Sequence, residues 1–168
     1  MNRIGYIGFK SGQPVDTLLA ACVKSIQKTN VPIAGAIQAS PEECAECSGA
    51  LNLKDVENGR IYNFSQDLGA GAESCALDTQ ALTGISQHIV DALERQPRLV
   101  VINRFGKAEV EGHGFRRVVE QAMLADIPLL VAVREDFEAA WEAFHGGLAT
   151  RLPFDEAAVL AWCDAVVG

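Results

Sequence analysis

Two kinds of apolar pattern alternate along this chain. Short continuous runs rich in β-branched and small residues stand at Arg3 to Phe9, Val31 to Ile37, Leu99 to Ile102 and Ile127 to Val133. Runs without polar alternation read as strands of a parallel sheet, buried on both faces. Between them, apolar residues recur at helical spacing: Val15, Leu18, Leu19, Cys22, Val23 and Ile26, then Leu82, Ile85, Ile89, Val90 and Leu93. Helices are also expected from about Phe115 to Leu124, from Glu135 to Phe144, and from Phe154 to Val167 around Trp162. The punctuation agrees. Pro14 suits a first helical turn, Asn30 closes the first helix, Pro97 stops the second and Gly146-Gly147 breaks the fourth.

From Ala39 to Gly71 the pattern breaks, with Pro41, Gly49, Asn52, Gly59 and a short strand-like Arg60 to Phe64. The order is therefore β-α-β, an excursion, then α-β-α-β-α. It predicts one α/β domain over residues 1–168, a three-layer α/β/α sandwich on a mostly parallel sheet. The inserted loop or hairpin falls around residues 39–71.

Composition narrows the function. Hydrophobic residues make up 49% of the 168, and 22 acidic against 14 basic residues leave a net charge of −8. A chain of that charge lacks the basic surface that nucleic acid requires, although a local basic pocket can still hold one anion. No apolar run approaches the roughly 20 residues of a membrane span. The N-terminus enters a strand pattern at once, so no signal peptide is expected. Five cysteines, unevenly spread, fit reduced thiols. A cytoplasmic location is expected, with the oligomeric state open and a homodimer one option.

Candidate chemistry gathers where apolar runs end, since ligands of open α/β sheets bind beyond the carboxyl ends of the strands. The first such place is Lys10-Ser11-Gly12-Gln13-Pro14, leading to Asp16 and Thr17. A loop entering a helix N-terminus is a natural anion cradle. A hydrolytic P-loop, however, needs Lys and Ser/Thr at the helix start, where Val15 and Asp16 stand. The bland alternative is a helix turn satisfied by Asp16. The second place is Asn103-Arg104-Phe105-Gly106-Lys107-Ala108-Glu109, followed by Gly112, His113 and Gly114. A magnesium-binding strand ends in an acid; this one ends in Asn103 and Arg104, so the magnesium site looks impaired. Arg104 and Lys107 offer charge-assisted bonds to an anion instead, unless Arg104 merely pairs with Asp78 or Glu109. Gln38, at the end of the second run, and His113 are further candidate contacts. His88 and His145 are expected at the surface, and Trp141, Phe144 and Trp162 in the core.

Several segments carry a resemblance: Asp16-Thr-Leu-Leu19, Ala34-Gly-Ala-Ile-Gln38, Asp67-Leu-Gly-Ala-Gly71, Cys75-Ala-Leu-Asp78, Asn103 to Glu109 with Gly112 and Gly114, and Trp141-Glu-Ala-Phe144. On these the chain resembles the bacterial domain-of-unknown-function family twenty-four seventy-eight, which is nucleoside-triphosphatase-like. More distantly it is similar to small archaeal and bacterial nucleoside-triphosphatases. Gly106 and Glu109 match their Gly-x-x-Glu pattern, whereas Asn103 and Arg104 depart from it. The resemblance implies a P-loop-like fold with altered hydrolytic residues. Some family members accompany molybdenum-related genes, which implies an oxyanion such as molybdate as ligand.

The leading expectation is a binding or regulatory protein that holds a nucleotide or small oxyanion without efficient hydrolysis. In it, Lys10 and backbone amides hold the anion, Arg104 and Lys107 neutralise it, and Gln38 and Glu109 orient it. The first alternative is an active phosphohydrolase or kinase-like enzyme using Lys107, Arg104 and Glu109. The second is a metal or redox module on the Cys44-x-x-Cys47 pair, with Cys75 as a further thiol.

Overall fold

A computed structural model describes residues 3–40, 52–63 and 79–168. In chain order these form β1 (Ile4–Phe9), α1 (Val15–Gln27), β2 (Ile33–Gln38), β3 (Asn52–Asp55), β4 (Ile61–Asn63), α2 (Thr79–Leu93), β5 (Leu99–Ile102), α3 (Lys107–Val110), α4 (Arg116–Leu124), β6 (Leu129–Arg134), α5 (Glu138–His145), β7 (Ala149–Leu152) and α6 (Glu156–Val167). A 3-10 turn, Glu135–Phe137, leads into α5.

The strands form one sheet in the order β4-β3-β2-β5-β6-β1-β7. The pairs among β2, β5, β6, β1 and β7 are parallel, while β3 and β4 attach antiparallel at one edge. Successive residues of β5 and β6 enter opposite cores, as the period of two in a strand requires. Val100, Ile102, Leu129 and Val131 meet α2, α4 and α5 through Ile85, Val118 and Trp141. Leu99, Val101, Leu130 and Ala132 meet α1 and α6 through Leu19, Cys22 and Val159. The result is the expected three-layer α/β/α sandwich.

One glycine is demanded by this packing. Gly35 has φ +128°, and a Cβ there would lie 1.9 Å from the Val101 carbonyl oxygen. Strand β2 can therefore lie flush against β5 only without a side chain at that position.

The structure corrects several expectations. The edge strand β7 falls where no element was expected, because two of its four residues are exposed and it carries no strand-like alternation. The excursion supplies the expected hairpin, β3–β4, whose turn is held by the buried Asp55 carboxylate accepting from the Glu57 and Asn58 amides. His145, expected at the surface, is 5% exposed. Its Nδ1 accepts from the Gly147 and Ala149 amides at 3.0 and 3.3 Å, and so holds the turn from α5 into β7. His88 keeps a half-exposed side chain and lies 3.3 Å from Asp55. Trp141 is wholly buried, as expected, while Phe144 and Trp162 are half-buried.

Candidate functional site

The carboxyl ends of β1, β6, β5 and β2 lie side by side. The two polar loops singled out in the sequence therefore flank the end of β6, which contributes Arg134. The strand register continues past β5 on both sides. The Asn103 amide donates to the Ala36 carbonyl of β2 at 2.9 Å, and the Phe105 amide to the Ala132 carbonyl of β6 at 2.9 Å. Phe105 is 1% exposed and packs 4.9 Å from Trp141 and 5.2 Å from Phe144. The start of this loop is thus pinned by backbone and core alike, which fixes the directions in which Asn103 and Arg104 leave it.

Asn103 is 4% exposed, and its Oδ1 has no hydrogen-bond partner among the described residues. A buried acceptor left unpaired costs about 1–3 kcal/mol, so it is a place where a ligand donor would be stabilised. Arg104 extends outward over the Phe9 ring, 5.5 Å from its centroid, and meets Asp16 at the start of α1 at 3.1 Å. Of the two expected partners, Glu109 is engaged elsewhere, and Asp78 lies outside the described residues. Nor does Asp16 cap α1, which has no side-chain cap.

Glu109 is 6% exposed. One carboxylate oxygen accepts from the Gly106 amide and the other from the Phe115 amide, both at 2.9 Å. The Gly-x-x-Glu spacing is thus a helix-start box that reaches on to the next helix. Gly114 has φ +60°, and a Cβ there would lie 1.8 Å from Glu109 Oε2. That glycine lets the carboxylate through. Lys107 projects from the first turn of α3 and is exposed, with no carboxylate partner among the described residues.

The first loop closes largely on itself. The Lys10 amide donates to the Gln13 side chain at 2.6 Å, the Gln13 amide to the Lys10 carbonyl at 3.0 Å, and the Val15 amide to the Gln13 carbonyl at 2.8 Å. Pro14 has no N–H. Ser11, Gly12 and Thr17 are exposed, and Ser11 shares a shallow depression with Arg134, Glu135 and Asp136. Gln38 is half-buried at the end of β2.

A cleft of about 460 Å³ opens beside the β5 end. Its walls are Leu53, Leu82, Phe105, Phe115 and Phe137, and Asn103, Arg104, Lys107, Arg134 and the carboxylate of Glu109 supply its polar groups. Arg134 is held by two 2.6 Å bonds to Asp136, whose carboxyl those bonds keep below the usual range, and lies 5.3 Å from the Phe137 centroid. Sequence reasoning missed Arg134, although the signal was the same as for Arg104: a cation ending an apolar run. His113 is not in this cleft. It lines a neighbouring cavity of about 640 Å³ with Ser86, Gln87 and Arg117, beyond the shared Leu82 and Ala108.

Cys44, Cys47 and Cys75 lie outside the described residues. Cys22 and Cys163 are buried free thiols, and burial pushes both up to about 12. Thiols held protonated in this way serve as core packing. Among the described residues no helix is long and apolar enough to cross a membrane.

The model of a family described as "Protein of unknown function (DUF2478)" matches residues 4–162. The molybdenum import ATP-binding protein ModC 2 of Bradyrhizobium diazoefficiens is 33% identical over 161 residues, covering 96% of this chain. The chain spans only 18% of that relative's length. A solution structure of a human cancer-related nucleoside triphosphatase has the same fold, with a TM-score of 0.67 at 12% identity, over 98% of this chain and 95% of that one.

Proposed function

We propose that this chain, which belongs to the DUF2478 family and has a P-loop NTPase-like fold, binds a nucleotide or small oxyanion at the strand-end cleft without efficient hydrolysis. One observation carries the reading. A hydrolytic P-loop places a cation at the first loop and a magnesium-binding acid at the end of another strand. Here the acid, Asp16, stands at the first helix and the cation, Arg104, at the strand end, and the two pair at 3.1 Å beside the cleft that Arg104 lines.

This reversal has chemical consequences. A divalent ion beside Asp16 would face the Arg104 guanidinium, and a triphosphate in the first loop would face the Asp16 carboxylate. Both are repelled, and several of the loop amides that would cradle phosphate are already engaged within the loop. An anion docked instead at Arg104, Lys107 and Arg134 meets three cations, two of them paired in its absence, with Asp16 and Asp136. The Asp16–Arg104 pair is half-exposed on both sides, and such pairs contribute only about 0–1 kcal/mol. A ligand anion can therefore replace Asp16 at little cost. Glu109, with both oxygens engaged, acts by holding the loop in shape. A molybdenum-related ligand is supported by the name of the ModC relative.

Calorimetry with ATP, phosphate and molybdate tests this, alongside phosphate release from nucleoside triphosphates with magnesium. The expected result is binding with negligible release, weakened about tenfold or more in Arg104→Ala. Charge-assisted bonds are worth about 1.5–3 kcal/mol, and each 1.4 kcal/mol is roughly tenfold. Robust release abolished by Lys107→Ala would establish an active hydrolase in place of this reading.

A further inference from the structure

Resting on the anion-binding reading, we propose that the 460 Å³ cleft is the recognition site for the ring of a heterocyclic phosphate, with a ring-borne N–H donor directed at Asn103 Oδ1. Three observations lead there, and the first two concern what a bare oxyanion would leave unused.

The first is Asn103, a residue of the cleft lining that is 4% exposed and whose buried Oδ1 has no hydrogen-bond partner among the described residues. A fully ionised oxyanion such as molybdate carries acceptors only and leaves that oxygen as it was. A ring N–H or exocyclic amine supplies the missing donor. Selection by such a group is strong, because an analogue lacking the donor leaves the site's buried polar atom unpaired.

The second is the wall. Leu53, Leu82, Phe115 and Phe137 surround a space within the roughly 300–1,000 Å³ typical of organic-ligand pockets. A few-atom oxyanion buries almost none of that apolar surface, whereas a planar ring buries much of it.

The third is the placement of charge. The cations sit on exposed or half-buried side chains, and Lys107 lacks a carboxylate partner among the described residues. Ring inside and phosphate outside is the orientation that satisfies both. The cleft then reads the ring, and the cations hold the phosphate.

Titration calorimetry on the full chain with adenosine 5′-monophosphate, guanosine 5′-monophosphate, ribose 5-phosphate and molybdate tests this. At least one nucleotide should bind tenfold or more tightly than ribose 5-phosphate, and the preferred base shows whether an exocyclic amine or a ring N–H is read. Asn103→Leu should erase most of that difference and leave ribose 5-phosphate unchanged. Should Asn103→Leu fail to fold by circular dichroism, Phe137→Ala on the wall should produce the same selective loss. Equal binding of nucleotide, ribose 5-phosphate and molybdate would overturn the ring site and leave the anion site standing. If none of the four binds, the anion reading itself fails, and the ring site with it.

Discussion

Asp16 and Arg104 are 88 positions apart in the chain and 3.1 Å apart in space. Each taken alone is ambiguous: an acid in a first helical turn suits the helix dipole, and an arginine after a strand is a common loop residue. In the proposed anion site the pair acts as a gate, since the carboxylate occupies a guanidinium that the ligand would need. Asp16→Asn should therefore tighten the binding of ATP or molybdate. A surface pair worth about 0–1 kcal/mol sets the gain at up to about fivefold. Unchanged or weaker binding in calorimetry would show that Asp16 contacts the ligand rather than competing with it. Both residues were legible as candidates because they break apolar runs. Their pairing was not, and the expected partners for Arg104 were local or acidic neighbours.

At the scale of the element, the loop from β5 to α4 owes its shape to Glu109. Its carboxylate ties the start of α3 to the start of α4 through the Gly106 and Phe115 amides. Glu109→Ala leaves two N–H groups without acceptors, at about 1–3 kcal/mol each where they are buried. Glu109→Gln keeps one acceptor and should lose about half as much. Thermal melts of the two variants check this order, and a Glu109→Ala protein that melts like the parent would remove Glu109 from the loop's architecture. The Gly106-to-Glu109 spacing was visible in the sequence. What it was for was not, because a capping carboxylate and a catalytic one share that spacing, and only the location of the Phe115 amide separates them. The 3.6-residue periods of α1, α2 and α4 were plain, since each buries a single face. The edge strand β7 was hidden because pairing on one side leaves half of it wet.

At the scale of the molecule, His145 links pH to stability. Burial holds its imidazole below the ordinary value of 6.5, with Glu142 opposing the shift, and Nδ1 must stay unprotonated to accept from Gly147 and Ala149. Below about pH 6.5 the unfolded chain binds a proton that the folded one resists, so stability falls as pH drops through that value. Above it the contribution is complete. Melting temperatures from pH 8 to pH 5 should decline more steeply for the parent than for His145→Gln. Parallel curves would show that other groups govern the acid limb.

The sequence by itself determined the layers. Continuous apolar runs require a sheet covered on both faces, helical periods supply the covers, and a cation or amide where a run stops marks the end at which a ligand can sit. These are local facts, encoded within one element. The tertiary structure decided the rest: that β5 and β6 lie between β2 and β1, that Arg134 therefore stands between the two polar loops, that Asp16 reaches Arg104, and that the Asn103 Oδ1 is buried without a partner among the described residues. Strand order brings together residues distant along the chain, and no period within an element records which strand will be its neighbour.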